Sequence, residues 1–524
     1  NFSVLTIMLV KMSEKYATNK KIVAKNTFML YGRMLLIMFA TFYTSRLVLN
    51  ALGVYDFGLY SVIGSIIVLF SFIQNVSALA TQRFLSVGLG RRDFSWTKRV
   101  FSTSILVHFI ICGAVLFLAE TIGLWFLIYK LRVPVERMTE IFWVYQLSVI
   151  SLLIQIMQTP FIAALIATEK MDLFAKIGIF DAIQRWGMVY LFTLFEFDSK
   201  LIWYATFLLF GYISVFFVYF VSCIKKIDIC TVKVSFKENK ELLKEILSFS
   251  SWSMMGSLSL VGLSQGIALL TYFFVGVVAN GSVWLAEQVL IAFNRVIGTL
   301  QTAFNPQLIK QHSTGNHEEV SSLLSLSCKL TGFIVLIAAV PAFVDAPFVI
   351  NLWLKQVPEH LVVLVRIVIL YVIIDSLSGP FVTVAYAVGK LRNYQLIASL
   401  IMLLTLVLTY ALYSLGFALV VAVSSRILCA VAMLMFRVLY VEKVTGLNSK
   451  IFFLNIFPRL FSVSVISFAI SFYINTVLPV GFLGLLLLIA LNTISVAILF
   501  FYLVLISSER KYLTSLIKKK LGRK

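Results

Sequence analysis

The sequence predicts an all-α polytopic membrane protein of about fourteen transmembrane helices. Three observations carry this reading. Hydrophobic residues make up 60% of the chain and charged residues only 13%, with a mean hydropathy of +0.98. A soluble fold of that composition has nowhere to put its apolar surface. Apolar stretches long enough to cross a bilayer follow one another almost from end to end; a hydrocarbon core of about 30 Å takes roughly 20 such residues at about 1.5 Å of rise. Lys and Arg gather in every second gap between these stretches, as topology-setting charges do.

The first six spans are expected at 26–49, 57–79, 100–128, 139–168, 177–195 and 201–224. After a charged gap come 247–277, 281–304, 323–354, 361–388, 395–415 and 417–440, the last two divided only by a turn at Gly416. The final pair lies at 451–477 and 480–507. The implied organisation is a tail at 1–25, an N-lobe at 26–224, a linker at 225–246, a C-lobe at 247–440, two further helices at 441–507 and a basic tail at 508–524.

Basic residues orient these spans. Lys15, Lys20, Lys21 and Lys25 precede the first; Arg83, Arg91, Arg92, Lys98 and Arg99 fall between the second and third; Lys225, Lys226, Lys233, Lys237, Lys240 and Lys244 follow the sixth. Lys390 and Arg392 follow the tenth, and seven Lys and Arg between Arg510 and Lys524 close the chain. Alternate gaps are short and nearly uncharged, except for Lys130, Arg132 and Arg137, which Glu136 and Glu140 partly offset. Both termini are therefore expected on the cytoplasmic side of the membrane. The net charge of +21 and pI of 9.7 then read as topogenic charge against anionic lipid headgroups. No soluble stretch is long enough for a nucleic-acid-binding domain, so no nucleic acid partner is expected. Met12, just ahead of the first basic run, is a candidate start, and 4–10 is too short to span and has no small-residue cleavage site, so no signal peptide is expected there. No cysteine falls in an expected outer loop, so no disulfide framework is implied.

The two halves echo each other at offsets of about 220 to 225 positions. Thr159-Pro160-Phe161 matches Gly379-Pro380-Phe381, Lys170 matches Lys390, Gly53-Val54 matches Gly276-Val277, and Gly90-Arg91-Arg92-Asp93 matches Gly315-Asn316-His317-Glu318. Each repeat holds an even number of spans, so both enter the membrane in one direction and are related by an axis along its normal. The natural site lies between such repeats at mid-membrane. Pro160 and Pro380 are candidate kinks at equivalent places, since each removes a backbone donor inside a span.

Charges inside spans are the candidate functional groups, because each costs roughly 2.5–3.5 kcal/mol at a bilayer centre. They are Arg33 and Arg46 in the first span, Asp181 and Arg185 in the fifth, Glu287 and Arg295 in the eighth, Asp345 in the ninth, Asp375 in the tenth and Arg426 in the twelfth. Asp181 and Arg185 stand four apart and can pair. Asp375 and Arg426 invite an inter-helix pair or an ion-linked switch. Arg295 has no obvious partner on its own helix and shares a stripe with Gln288, which makes it the preferred ligand candidate. Arg33, Arg46, Arg185, Arg426 and Gln288 complete the substrate-binding set, and Asp181, Glu287 and Asp375 form the ion-coupling set.

No G-x-x-x-x-G-K-[ST] loop, H-E-x-x-H, G-x-S-x-G or paired-Cys metal spacing occurs, and His108, His312, His317 and His360 are scattered. No cofactor, metal or enzymatic activity is expected.

Thr44-Ser45-Arg46-Leu47-Val48-Leu49-Asn50-Ala51-Leu52-Gly53-Val54 followed by Asp56-Phe57-Gly58-Leu59-Tyr60 resembles the first span junction of Wzx-type O-antigen and polysaccharide flippases. Ala80-Thr81-Gln82-Arg83-Phe84-Leu85 and Gln158-Thr159-Pro160-Phe161 through Ala167-Thr168-Glu169-Lys170-Met171 extend the likeness, strongest over 20–190. These flippases belong to the multidrug/oligosaccharidyl-lipid/polysaccharide exporter superfamily. The resemblance implies two six-helix lobes in a V plus two C-terminal helices. It also implies alternating access that turns a lipid-linked oligosaccharide to the outer leaflet, and a polysaccharide polymerase as a partner. An anionic polyprenyl pyrophosphate fits buried arginines. The rival is a drug/cation antiporter of the same superfamily. Such exporters commonly rely on a carboxylate in the first span, where this chain has Arg33 and Arg46. A peptidoglycan-precursor flippase also uses arginines and stays open; a polysaccharide polymerase or ligase needs a larger surface loop. A proton or sodium gradient is the expected drive.

Overall fold

Helix is the only way to satisfy backbone polar groups along single apolar stretches in lipid, and the described chain is helical throughout its core. The computed structural model describes residues 20–514, apart from 71, 132, 169, 196, 232–239, 314–316, 389–390, 508 and 512–513. Side chains of 20–35 and of scattered later positions lie outside that description.

Helix α1 (Lys20–Phe70) carries the first crossing and half of the second, broken at Gly53. Next come α2 (Phe72–Gly90), α3 (Phe94–Leu118) and α4 (Leu124–Tyr129), the last two joined by a π turn at Ala119–Gly123. Then follow α5 (Met138–Ala167), α6 (Met171–Leu194), α7 (Lys200–Lys226), α8 (Lys240–Phe274) and α9 (Val277–Ser313). The ninth crossing is α10 (His317–Val344) with a short α11 (Ala346–Trp353); the tenth is α12 (Leu361–Asp375), a 3-10 turn at Ser376–Ser378 and α13 (Gly379–Val388). The series ends with α14 (Leu391–Ser414), α15 (Leu419–Thr445), α16 (Phe457–Val477) and α17 (Phe482–Leu499). Merged in this way, the segments make the fourteen crossings the sequence predicts. Among the described residues, 11 helical stretches are long and apolar enough to span a membrane. Helices α6 and α9 are not among them, because charges and amides interrupt their apolar runs.

Several edges differ from expectation. The second crossing extends through Arg83 to Gly90, and α8 starts at Lys240, so charges placed in gaps instead ride on helix ends. Asp345 stands within the ninth crossing, at the break between α10 and α11.

The repeat has a backbone signature. Gly53 has φ +79 and Gly276 has φ +122, each at the link from the first to the second crossing of its half. Residues with a Cβ avoid that region, so both links need glycine.

Two compact units emerge. One comprises 1–285, 353–359 and 402–410; the other comprises 286–352, 360–401 and 411–524. In the first, α5 packs on α7, α1 on α6, and α2 on α5 and α8. Gly58 of α1 lies so close to Val277 that a Cβ would clash, and a Cβ on Gly281 would stand only 3.3 Å from the Gly58 Cα. Small residues let helix backbones draw together where the hydrophobic effect gives no drive. There Ser61 bonds Asn280 at 2.7 Å, and the Asn280 amide nitrogen donates to the Ala268 carbonyl at 2.8 Å. The Ala119 carbonyl accepts the Leu124 N–H across the π turn and also takes a hydrogen bond from the Tyr145 hydroxyl at 2.8 Å. In the second unit α12 packs on α15, and α10, α16 and α17 form a layer. Asn492 of α17 is fully buried and accepts from Ser471 at 3.1 Å.

Candidate functional site

In the first unit two of the membrane-embedded charges, Asp181 and Arg185, sit on α6. Arg185 donates through Nη2 to both oxygens of Asp181, at 3.0 and 3.2 Å. The one-turn spacing brings them together, as the sequence predicts. Their side chains remain 42% and 31% exposed, and the guanidinium lies 5.3 Å from the Tyr212 ring of α7. Gln184, beside Arg185, accepts from the Ser214 hydroxyl at 2.6 Å and fixes the α6–α7 register. Among the described residues, Nε and Nη1 of Arg185 donate to nothing.

Arg46 is half-buried on α1, which packs along α6. One turn before it, Tyr43 meets Trp186, the residue after Arg185, at 6.3 Å between ring centroids. Arg46 and Arg185 thus border one seam. Arg33 lies on the same helix, with its side chain outside the described residues.

The second unit pairs its charges between helices. Arg426 of α15 donates to Glu287 of α9 at 2.7 Å, with side chains only 4% and 12% exposed. The guanidinium also stacks 4.9 Å from the Tyr371 ring of α12. One turn along α12, Asp375 pairs with Arg437 at 3.3 Å, and Arg437 also donates to Ser378. The expected Asp375–Arg426 pair is therefore corrected. Arg426 and Arg437 lie eleven positions apart on one face of α15, and each meets the carboxylate at its own depth. The Nε atoms of both arginines are buried without a partner among the described residues.

Arg295 is half-buried on α9 and does not lack a polar or electrostatic partner. Gln288 is half-buried next to Glu287, without a hydrogen bond among the described residues. Pro160 lies within the continuous helix α5. Pro380 is the second residue of α13, behind the 3-10 turn that divides the tenth crossing. The two prolines thus sit in different backbone settings.

Three embedded or capping cations escaped the sequence reading. Lys329 of α10 is 6% exposed and bonds Glu509 at 2.9 and 3.0 Å. Arg366 donates to the terminal carbonyls of α10, Phe343 at 3.1 Å and Val344 at 3.5 Å, where the helix dipole favours a cation. Arg437 is the third. Each was visible as a charge within or at the edge of an apolar run.

At a helix end in the first unit, Arg137 is gripped by Asp56 and by Glu140 at 2.8 Å. Glu140 also accepts from Ser199 at 2.6 Å. The bond to Asp56, opposed by burial and aided by Glu140, holds the Arg137 guanidinium protonated well above its ordinary range.

No protein-family model and no curated protein matches the chain. Solved structures do. An inward-facing multidrug resistance MATE family transporter of the MOP superfamily matches with TM-score 0.67 at 13% identity, over 78% of this chain and 96% of that one. An outward-facing structure of such a transporter gives 0.61 at 12% identity, over 84% and 98%. Lipid II flippase MurJ in an inward closed conformation gives 0.64 at 14% identity, over 95% of this chain and all 100% of that one. The chain has the fold of these multi-pass membrane transporters.

Proposed function

We propose that the protein turns a polyprenyl-pyrophosphate-linked oligosaccharide, an O-antigen or related polysaccharide repeat unit, from the cytoplasmic to the outer leaflet by alternating access. The observation that carries this reading is Arg185. It carries a guanidinium in the middle of a crossing on a side chain 42% exposed, held by one carboxylate and with two nitrogens unengaged among the described residues. A charge that lipid would penalise by a few kcal/mol persists where water or an anion meets it. Arginine presents a planar fork to phosphate oxygens. Asp181 holds that fork in place while no substrate is bound and yields part of it to a pyrophosphate. Arg46, on the same seam, supplies a second cation.

The breadth of the match to the lipid II flippase supports the same choice. That match takes in 95% of the chain, whereas the inward-facing multidrug transporter takes in 78%. A pyrophosphate-linked glycan shares the anionic head of a lipid-linked precursor. Glu287 and Asp375 are each neutralised by arginine, so a proton or sodium gradient acting through them has to open an ion pair. Asp181 is paired as well, with Arg185, but that pair is the most open of the three and is the readiest to exchange.

The test is translocation of a fluorescent undecaprenyl-pyrophosphate oligosaccharide in liposomes bearing the purified protein. Movement above empty liposomes, cut more than about tenfold by Arg185→Ala in folded protein, is the expected outcome. No movement with or without an imposed gradient, together with efflux of a cationic dye, would assign the chain to the drug antiporters.

A further inference from the structure

The seam between α1 and α6 carries a second feature beside its cations. Trp186 is 41% exposed and Tyr190, one turn on, 45%. Their rings stack at 5.8 Å with 21° between planes. Tyr43 of α1, 39% exposed, meets Trp186 at 6.3 Å, and Phe39, one turn before it, is 74% exposed.

An exposed aromatic in a membrane protein ordinarily belongs to the interfacial belt. Three other exposed tryptophans fit that rule. Trp125 stands four positions before the end of its crossing at Tyr129, Trp143 five positions after Met138, and Trp203 three after Lys200. Trp186 does not. Leu194 closes α6 eight positions beyond it, about 12 Å of rise, which places the indole well inside the hydrocarbon. Its sequence neighbour is Arg185, which lipid does not favour.

The polar atoms of these rings add an independent constraint. The Trp186 N–H and the Tyr43 and Tyr190 hydroxyls have no hydrogen-bond partner among the described residues. At the depth of the Trp186 indole in lipid, an unpartnered donor costs several kcal/mol. An acyl chain cannot satisfy these groups. A hydroxylated ligand can.

Resting on the flippase reading, we infer that Trp186, stacked on Tyr190 and flanked by Tyr43, is the platform for a pyranose ring of the transported glycan. The face of an aromatic ring is electron-rich. It attracts the C–H bonds on the apolar face of a sugar, which are polarised by the neighbouring oxygens, while the sugar's hydroxyls reach the indole and phenol polar atoms. Position agrees with chemistry. In such a substrate the first sugar is bonded directly to a pyrophosphate oxygen, and Trp186 directly follows Arg185. The cation takes the head and the platform takes the ring attached to it.

The experiment compares proteoliposomes bearing wild type, Trp186→Leu and Trp186→Tyr. Each is supplied with two probes: polyprenyl pyrophosphate carrying an oligosaccharide and polyprenyl pyrophosphate without sugar. Trp186→Leu is expected to lower the ratio of glycan-bearing to bare lipid transport about tenfold, and Trp186→Tyr to restore most of it. A ratio unchanged by Trp186→Leu, or a loss that Trp186→Tyr does not repair, overturns the platform while leaving the flippase reading standing. Should wild type move neither lipid, the flippase reading falls. Binding then decides the platform: a short-chain glycosyl pyrophosphate, added to detergent-solubilised protein, should quench wild-type indole fluorescence more than that of Trp186→Tyr. Equal quenching overturns it.

Discussion

Two embedded carboxylate–arginine pairs, Asp181–Arg185 in one unit and Glu287–Arg426 in the other, use the same chemical groups in different settings. The first joins neighbouring turns of one helix and leaves both side chains open by about a third or more. The second joins two helices 139 positions apart and is nearly sealed, with an aromatic ring against the guanidinium. A pair within one helix restrains nothing but itself, so it is free to be broken by a ligand. A sealed pair between helices ties them together, and removing either member strands a charge in a low-dielectric interior. Exposure separates a group available for exchange from one committed to architecture.

The largest effect should come from breaking the sealed pair. Glu287→Ala or Arg426→Ala alone is expected to destabilise the protein by about 3–5 kcal/mol, read as lost monodisperse protein in detergent and a lowered melting temperature. The double variant Glu287→Leu with Arg426→Met should recover most of that loss. A single variant as stable as wild type would contradict the assignment of this pair to architecture.

Asp375–Arg437 is the intermediate case, longer at 3.3 Å and 28% and 14% exposed. Asp375→Ala should cost about 1–3 kcal/mol, between the other two in the same melting assay. For the open pair, Arg185→Ala should shift stability by less than about 1 kcal/mol while transport collapses. Equal loss of folded protein and transport would place it with the sealed pair. The smallest effect is expected from Asp181→Asn, which frees the guanidinium. Apparent affinity for a pyrophosphate lipid should rise a few-fold, and a fall would show that Asp181 itself holds substrate.

How legible these pairs were follows from their geometry. Fourteen crossings were readable because each must satisfy the same length and apolarity. Asp181–Arg185 was readable because spacing along one helix fixes proximity. Glu287–Arg426 was not, since no local pattern says which helices adjoin. The expected Asp375–Arg426 pair failed because depth alone does not choose between two arginines on one helix face. Arg437 stands three positions from the expected edge of its span at 440, where a charge needs no partner inside the membrane. The stacked rings of Trp186 and Tyr190 were written in sequence at one-turn spacing, but their exposure well inside a crossing needed the fold.

Lys329 and Glu509 are joined across 180 positions of chain. During synthesis at about 5–20 residues per second, the lysine emerges roughly ten to forty seconds before its carboxylate. For that interval α10 holds an uncompensated ammonium that membrane lipid disfavours. The lysine is therefore neutralised only once the last crossing has been laid down, so the order of synthesis makes the end of the chain the counter-charge of its middle.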